Sequence, residues 1–232
     1  MNNMNLQQQL ENNLLKFKTS NGTKIIKDGI VSFDDYMKSP FKILWVLKEA
    51  NSDEEDWDIR EALYSGVKNE NGLNSDWKST LTRVIYTTLG ILNNEDWHSM
   101  GDFNLDPDLI DCLHKVAYIN VKKIGGSSQS NSQEIQDYYD LNKEVLHEQI
   151  SLINPNIIIF GNTMKHFDWN WLKDTFNIEV EDESNQNLHI YSGEKHILLN
   201  AYHPSYWSIK EQLYCDLIID AVQKWKLNFQ EA

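Results

Sequence analysis

Four short apolar runs, at residues 41–47, 116–120, 156–160 and 196–201, carry Ile, Leu, Val and aromatic side chains with no clean polar alternation. A strand wetted on one face alternates, whereas a strand covered on both faces does not. Such runs belong inside a parallel sheet, whose crossover connections lay helices on both faces. The intervening segments have the matching helical spacing. Leu6, Leu10, Leu14 and Phe17 stripe a helix expected over about 3–18, and Trp77, Leu81, Val84 and Ile85 mark a second. A third is expected over 133–153, stopped by Asn154-Pro155, and a last one from about 206 or 209 to 225. The expected fold is α/β: a three-layer α/β/α sandwich around a central, mainly parallel four-stranded sheet, in one domain over 1–232. A short extra strand is expected at 188–192, with Ser192-Gly193 turning the chain into the following run.

No apolar run approaches membrane-spanning length, and the Asn- and Gln-rich first twenty residues lack the basic and apolar regions of a secretory signal. A soluble, cytoplasmic protein with no membrane partner is expected. Cys112 and Cys215 lie far apart in helix-like surroundings, which suits buried small apolar residues better than a disulfide or a metal site. The balance of 21 basic against 35 acidic residues, −14 in all, argues against a broad phosphate-binding surface. The acids concentrate at 49–62 and 179–183, while Lys115, Lys122 and Lys123 lie close to one of the candidate site loops. The stretch 125–132, two glycines followed by hydroxyl and amide residues, reads as a flexible loop; it lacks the Lys-Ser/Thr pair of a P-loop.

The residues just past each strand carry the chemistry, because all carboxyl ends of a parallel sheet face one rim, where ligands bind. The first run leads into Lys48, Glu49, Ala50 and Asn51; the second ends in Asn120; the third is followed by Gly161; the fourth delivers His203-Pro204-Ser205. A carboxylate, a carboxamide, a close-approach glycine and an imidazole therefore converge. Each also has a plainer role. Glu49 opens an acidic run suited to a helix start, Asn120 can close a strand by bonding loop backbone, and Trp57, Tyr206 and Trp207 suit rim or partial core positions.

The blocks at 47–56, 118–123, 149–161 and 202–206, in that order, resemble the uracil-DNA glycosylase superfamily over about residues 41–210, and are most similar in spacing to its bacterial and archaeal family 4 type. Leu47-Lys48-Glu49-Ala50-Asn51 resembles a first motif usually written Gly-Glu-Ala-Pro-Gly; Tyr118-Ile119-Asn120 resembles the strand ending in a base-reading Asn; Tyr202-His203-Pro204-Ser205 resembles the His-Pro-Ser motif. The chain departs from the pattern at Lys48, Asn51 and Ser52, and Ile124 stands where a cluster-binding Cys would follow the second motif. No iron-sulfur cluster, metal or organic cofactor is therefore expected.

The resemblance implies hydrolysis of the N-glycosidic bond of uracil or a related base in single- or double-stranded DNA, the nucleotide first leaving the stack. It gives Asn120 the base's pairing edge, His203 the departing base anion, and Glu49 the attacking water. Trp57, Ala50, Asn51, Gly161, Ser205 and Tyr206 are the implied substrate contacts, with Lys122 and Lys123 on phosphates and Tyr206 with Trp207 as a wedge. Two other readings stay open: a divergent member acting as a binding protein, favoured by the altered first motif and the acidic charge, and a metal-dependent hydrolase using Glu49, Asp53, Asp56 and His203.

Overall fold

The computed structural model describes residues 3–19, 22–127 and 129–230, so Ser128 of the expected flexible loop lies outside the described residues. In chain order the elements are α1 (Asn3–Leu14), β1 (Gly29–Ile30), α2 (Phe33–Lys38), β2 (Ile43–Leu47), α3 (Ile59–Glu61), β3 (Lys68–Asn69), β4 (Gly72–Leu73) and α4 (Ser75–Asn93). Next come β5 (Val116–Asn120), α5 (Ser132–Ile153), β6 (Ile157–Gly161), α6 (Trp169–Phe176), β7 (Val180–Asn185), β8 (Leu188–Ser192), β9 (Ile197–Ala201) and α7 (Glu211–Gln230). A π turn extends α3, and a 3-10 run over Pro107–Lys115 leads into β5.

The sheet has seven strands, ordered β1-β5-β2-β6-β9-β8-β7, with β3 and β4 pairing apart from it. Its centre is the expected parallel set: β2 pairs in parallel with β5 and β6, and β6 with β9. Every residue of β2, β5 and β6 is buried, which is why these runs carry no alternation. The four-stranded expectation is corrected by three antiparallel additions. β8 is the anticipated extra strand, hairpinned to β9. β1 has two residues, too few for a periodic signal, and β7 reads Val-Glu-Asp-Glu-Ser-Asn with five of its six positions exposed. An acidic edge strand discourages pairing with another chain, and that same composition hides it from hydrophobic pattern reading.

Alternate residues of the central strands feed two cores. Ile43, Trp45 and Leu47 face α4 and α7, whose Leu81, Val84, Ile218 and Val222 join the same cluster. Leu44 and Val46 face the other side, with Leu10 and Leu14 of α1, Leu146 and Ile150 of α5, and Leu172 of α6. Cys112 and Cys215 are buried free thiols. Among the described residues no helix is long and apolar enough to cross a membrane.

Helix ends follow local chemistry. Asn131 caps α5 by accepting from the Gln133 amide, and Asn154 ends it in the left-handed conformation ahead of Pro155. The first helix stops at Leu14, short of the expected 18. The last begins at Glu211, not at 206 or 209, because the buried Arg83 guanidinium of α4 takes the carbonyls of Tyr206 (2.7 Å) and Ile209 (2.5 Å) and holds that segment out of the helix.

A buried ion pair ties the first half of the fold to the second. Lys123, just past β5, places its ammonium 2.7 and 2.8 Å from the two carboxylate oxygens of Asp28, both side chains 0% exposed. Gln149 of α5 bonds both partners, accepting from Lys123 (2.8 Å) and donating to Asp28 (2.9 Å), while Asp28 also accepts the Asn120 amide (2.8 Å). Breaking one side of such a pair strands a charge, at a cost of about 3–5 kcal/mol. Asp28→Asn is accordingly expected to lower the urea unfolding free energy by about that amount. Asp28→Leu combined with Lys123→Met should lose clearly less than the sum of the two single losses. Additive losses would show the pair to be uncoupled.

Candidate functional site

Because β2, β5, β6 and β9 run in parallel, their ends meet at one rim, with Leu47 beside Asn120 and Gly161 beside Ala201. His203 projects from the loop after β9, and three contacts set that loop. Pro204 packs on Gly161, where an added Cβ would lie 3.1 Å from the proline ring and would strike the Leu47 side chain. The Tyr206 amide bonds the His203 carbonyl (2.8 Å), closing a turn with Pro204 at its second position. Arg83 anchors the far side.

The tautomer of His203 is set by its neighbours. The Ser205 backbone amide donates to Nδ1 at 3.2 Å, and a backbone N–H can only donate. Nδ1 therefore accepts, with Ser205 Oγ 2.8 Å away from it. The neutral ring carries its proton on Nε2, which has no partner among the described residues. Burial, and after it the charge of Lys48, pushes the His203 pKa down to about 4, so the ring is an uncharged donor at neutral pH.

A cavity of about 620 Å³ lies beside it, lined by apolar and aromatic residues such as Leu47, Trp57, Trp77 and Tyr118 together with Glu49, Ala50, Asn51, His203 and Ser205. Of the expected site residues, Glu49, Ala50, Asn51, Trp57, His203 and Ser205 thus share one cavity. Glu49 is almost wholly enclosed, with 3% of its side chain exposed, and its Oε2 accepts from Lys122 at 2.6 Å. Gly126 lies so close that any Cβ there would strike this carboxylate. The same glycine donates its amide to the Ala50 carbonyl and pairs with Asn51, so the loops after β2 and β5 run side by side. Asn120 is buried at the end of β5, on the same sheet face as the cavity-lining Tyr118 but not itself in the lining. Its Oδ1 has no hydrogen-bond partner, and neither has the buried indole nitrogen of Trp57. An unpaired buried polar atom is costly, and of these two the Trp57 nitrogen belongs to a residue that lines the cavity.

Other expected contacts fall elsewhere. Gly161 is a packing residue beneath His203-Pro204 and lines neither rim cavity. Lys123 is sealed inside with Asp28, and Lys122 is held between Glu49 and Glu134. Burial lowers the Lys122 pKa, but the hydrogen bonds and charges of those carboxylates outweigh it and leave the ammonium above its ordinary range. Neither lysine is open to a phosphate. Tyr206 stacks on Tyr202, with ring centroids 4.6 Å apart, and lines a second cavity that shares His203 and Ser205 with the first. Asp56 pairs with Lys24 and Glu49 with Lys122, so two of the three carboxylates of a metal-hydrolase reading are engaged separately, and no metal-ligating cluster occurs among the described residues. Arg83 was not legible as a site residue, since nothing in a helical Thr-Arg-Val announces which carbonyls it will reach.

No protein-family model matches the chain, and no curated protein matches it.

His203, His147 and His166 are all held neutral, with pKa values pushed to about 4 chiefly by burial. Between about pH 6.5 and 4 the unfolded chain binds protons that the folded chain refuses, so these groups make stability fall as pH falls through that window and add no slope above it. Urea unfolding at pH 7.5, 5.5 and 4.5 should show the decline, and His203→Gln should make it shallower. Ring ¹⁵N shifts of His203 at pH 7 should report the Nε2–H tautomer; a Nδ1–H ring would refute the hydrogen-bond assignment.

Proposed function

We propose that the protein is a base-releasing N-glycosyl hydrolase of the uracil-DNA glycosylase type, acting on uracil or a related base in DNA. The observation that carries the reading is the neutral, Nε2-protonated His203 at the strand rim beside a cavity with unpaired polar atoms. A leaving uracil gathers negative charge on N1 and on its exocyclic O2 carbonyl oxygen as its bond to the sugar breaks. A preset donor that needs no reorganisation stabilises that charge more than it stabilises the ground state. A neutral imidazole is suited to this task, because it donates without transferring its proton outright.

The other residues have roles consistent with this chemistry. The Asn120 carboxamide, desolvated and with a free Oδ1, offers one acceptor and one donor group to a pairing edge. Lys122 fixes Glu49 through Oε2, and Oε1, which makes no hydrogen bond among the described residues, is the oxygen left to orient a water against the sugar's anomeric carbon. Trp57, Trp77 and Tyr118 supply aromatic surface for a base. One observation favours the alternative of a binding protein without turnover: Glu54 and Asp76 also line the cavity, an acidic mouth that resists a polyanion.

The test is release of free base from uracil-containing single- and double-stranded oligonucleotides, scored also as abasic sites. His203→Ala is expected to cost about 10²–10³ in rate, the usual value of one preset donor. Asn120→Ala should lose discrimination between bases, and Glu49→Gln should slow release. Tight binding with no release would favour the binding protein, and no release from any damaged base would overturn the enzymatic reading.

A further inference from the structure

The rim has a second cavity, of about 510 Å³, lined by Lys48, Asn162, Tyr202, His203, Ser205 and Tyr206. It differs from the first in electrostatic character. Lys48 and its neighbour Lys165 have no hydrogen-bond or ion-pair partner for their ammonium groups among the described residues, whereas Lys122 and Lys123 close by are both held by carboxylates. Lys48 is partly buried, and burial first, then the charge of Lys165, holds its pKa below the ordinary lysine range. The same charges act on His166, and that of Lys48 acts on His203, so positive potential is concentrated at this side of the histidine. The acids of the first cavity, Glu54 and Asp76, lie in its lining and not in this one.

An anion beside the partly buried Lys48 ammonium supplies its missing hydrogen bonds, and the exposed Lys165 adds to the attraction. Asn162 and Ser205 add polar groups to the same lining, and the stacked Tyr202–Tyr206 pair with the 86% exposed Trp207 forms an apolar wall. We propose that this cleft is a phosphate subsite in which Lys48, supported by Lys165, holds the phosphate attached to the nucleoside whose base enters the adjoining cavity. The proposal rests on the base-binding reading of that cavity. A free nucleotide and a strand present the same group, as monoester or diester, and they differ in what extends beyond it.

The full chain is titrated with deoxyuridine, its 5′- and 3′-monophosphates, and a short uracil-containing single strand, monitored by tryptophan fluorescence at low and moderate salt. At low salt, phosphate-bearing ligands should bind about tenfold or more tightly than the nucleoside, as one charge-assisted contact provides. That advantage should shrink with salt. It should fall to about twofold or less in Lys48→Met, be partly kept in Lys48→Arg, and be intermediate in Lys165→Met. Saturation by a monophosphate identifies a free nucleotide; an advantage confined to the oligonucleotide identifies a strand. Equal binding of nucleoside and nucleotide, an unchanged advantage in Lys48→Met, or no binding of any ligand overturns the subsite. A Lys48-dependent advantage without base release keeps the subsite and removes the hydrolase reading. Base release with no Lys48-dependent advantage does the reverse.

Discussion

The buried contact between Lys123 and Asp28 is the constraint around which the rim is arranged. One ammonium, fully removed from water, must be answered by a full negative charge and filled hydrogen bonds, and its burial lowers its pKa against the pull of Asp28. That requirement fixes where the segment before β1 lies, where β5 ends, and which face α5 presents, because Asp28, Asn120 and Gln149 all bond within the same cluster. The Asn120 amide is held by Asp28, so the end of β5 at the rim hangs from the structural charge pair by its own backbone. Site geometry and fold stability are therefore coupled through one carboxylate.

The parallel core was legible because its signal is physical and local. Ile43–Leu47 and Ile157–Gly161 lack alternation since both faces are buried, and turn chemistry at Ser192-Gly193 announced the β8–β9 hairpin. The edges were not legible for the converse reason: β7 is held by backbone pairing to β8 and needs no apolar pattern. The strand-end rule placed Glu49 and His203 at the same cavity, since it depends on topology alone. The phosphate role that the resemblance implied for Lys122 and Lys123 is not met, because their partners Glu134 and Asp28 come from other parts of the chain. A lysine's charge is visible in a sequence; whether that charge is already answered is not. Lys48, visible in the sequence at a strand end and as a departure from a motif, has no ion-pair partner among the described residues.

His203 lies between two environments of opposite character. On one side lie Trp57, Trp77 and Tyr118 with Glu54 and Asp76; on the other lies Lys48, and the proposed ligand would set its base against the first and its phosphate against the second. Such a division orients a ligand before any contact specific to its base is made, since the wrong way round would set phosphate against Glu54 and Asp76. On that proposal a strongly acidic chain would take a phosphorylated ligand through local potential, not net charge.

Gly126 and Gly125 lie against the loop after β2, one pressed to the Glu49 carboxylate and the other to the Ser52 carbonyl. The joint between the two loops is thus largely main chain on one side and the absence of side chains on the other. Main-chain joints are indifferent to which side chains decorate them, so positions 48, 51 and 52 are free to vary in chemistry while the rim keeps its shape. The glycines have no such latitude. The architecture separates a fixed frame from a replaceable lining, and new ligand preferences can be acquired at that lining without reopening the fold.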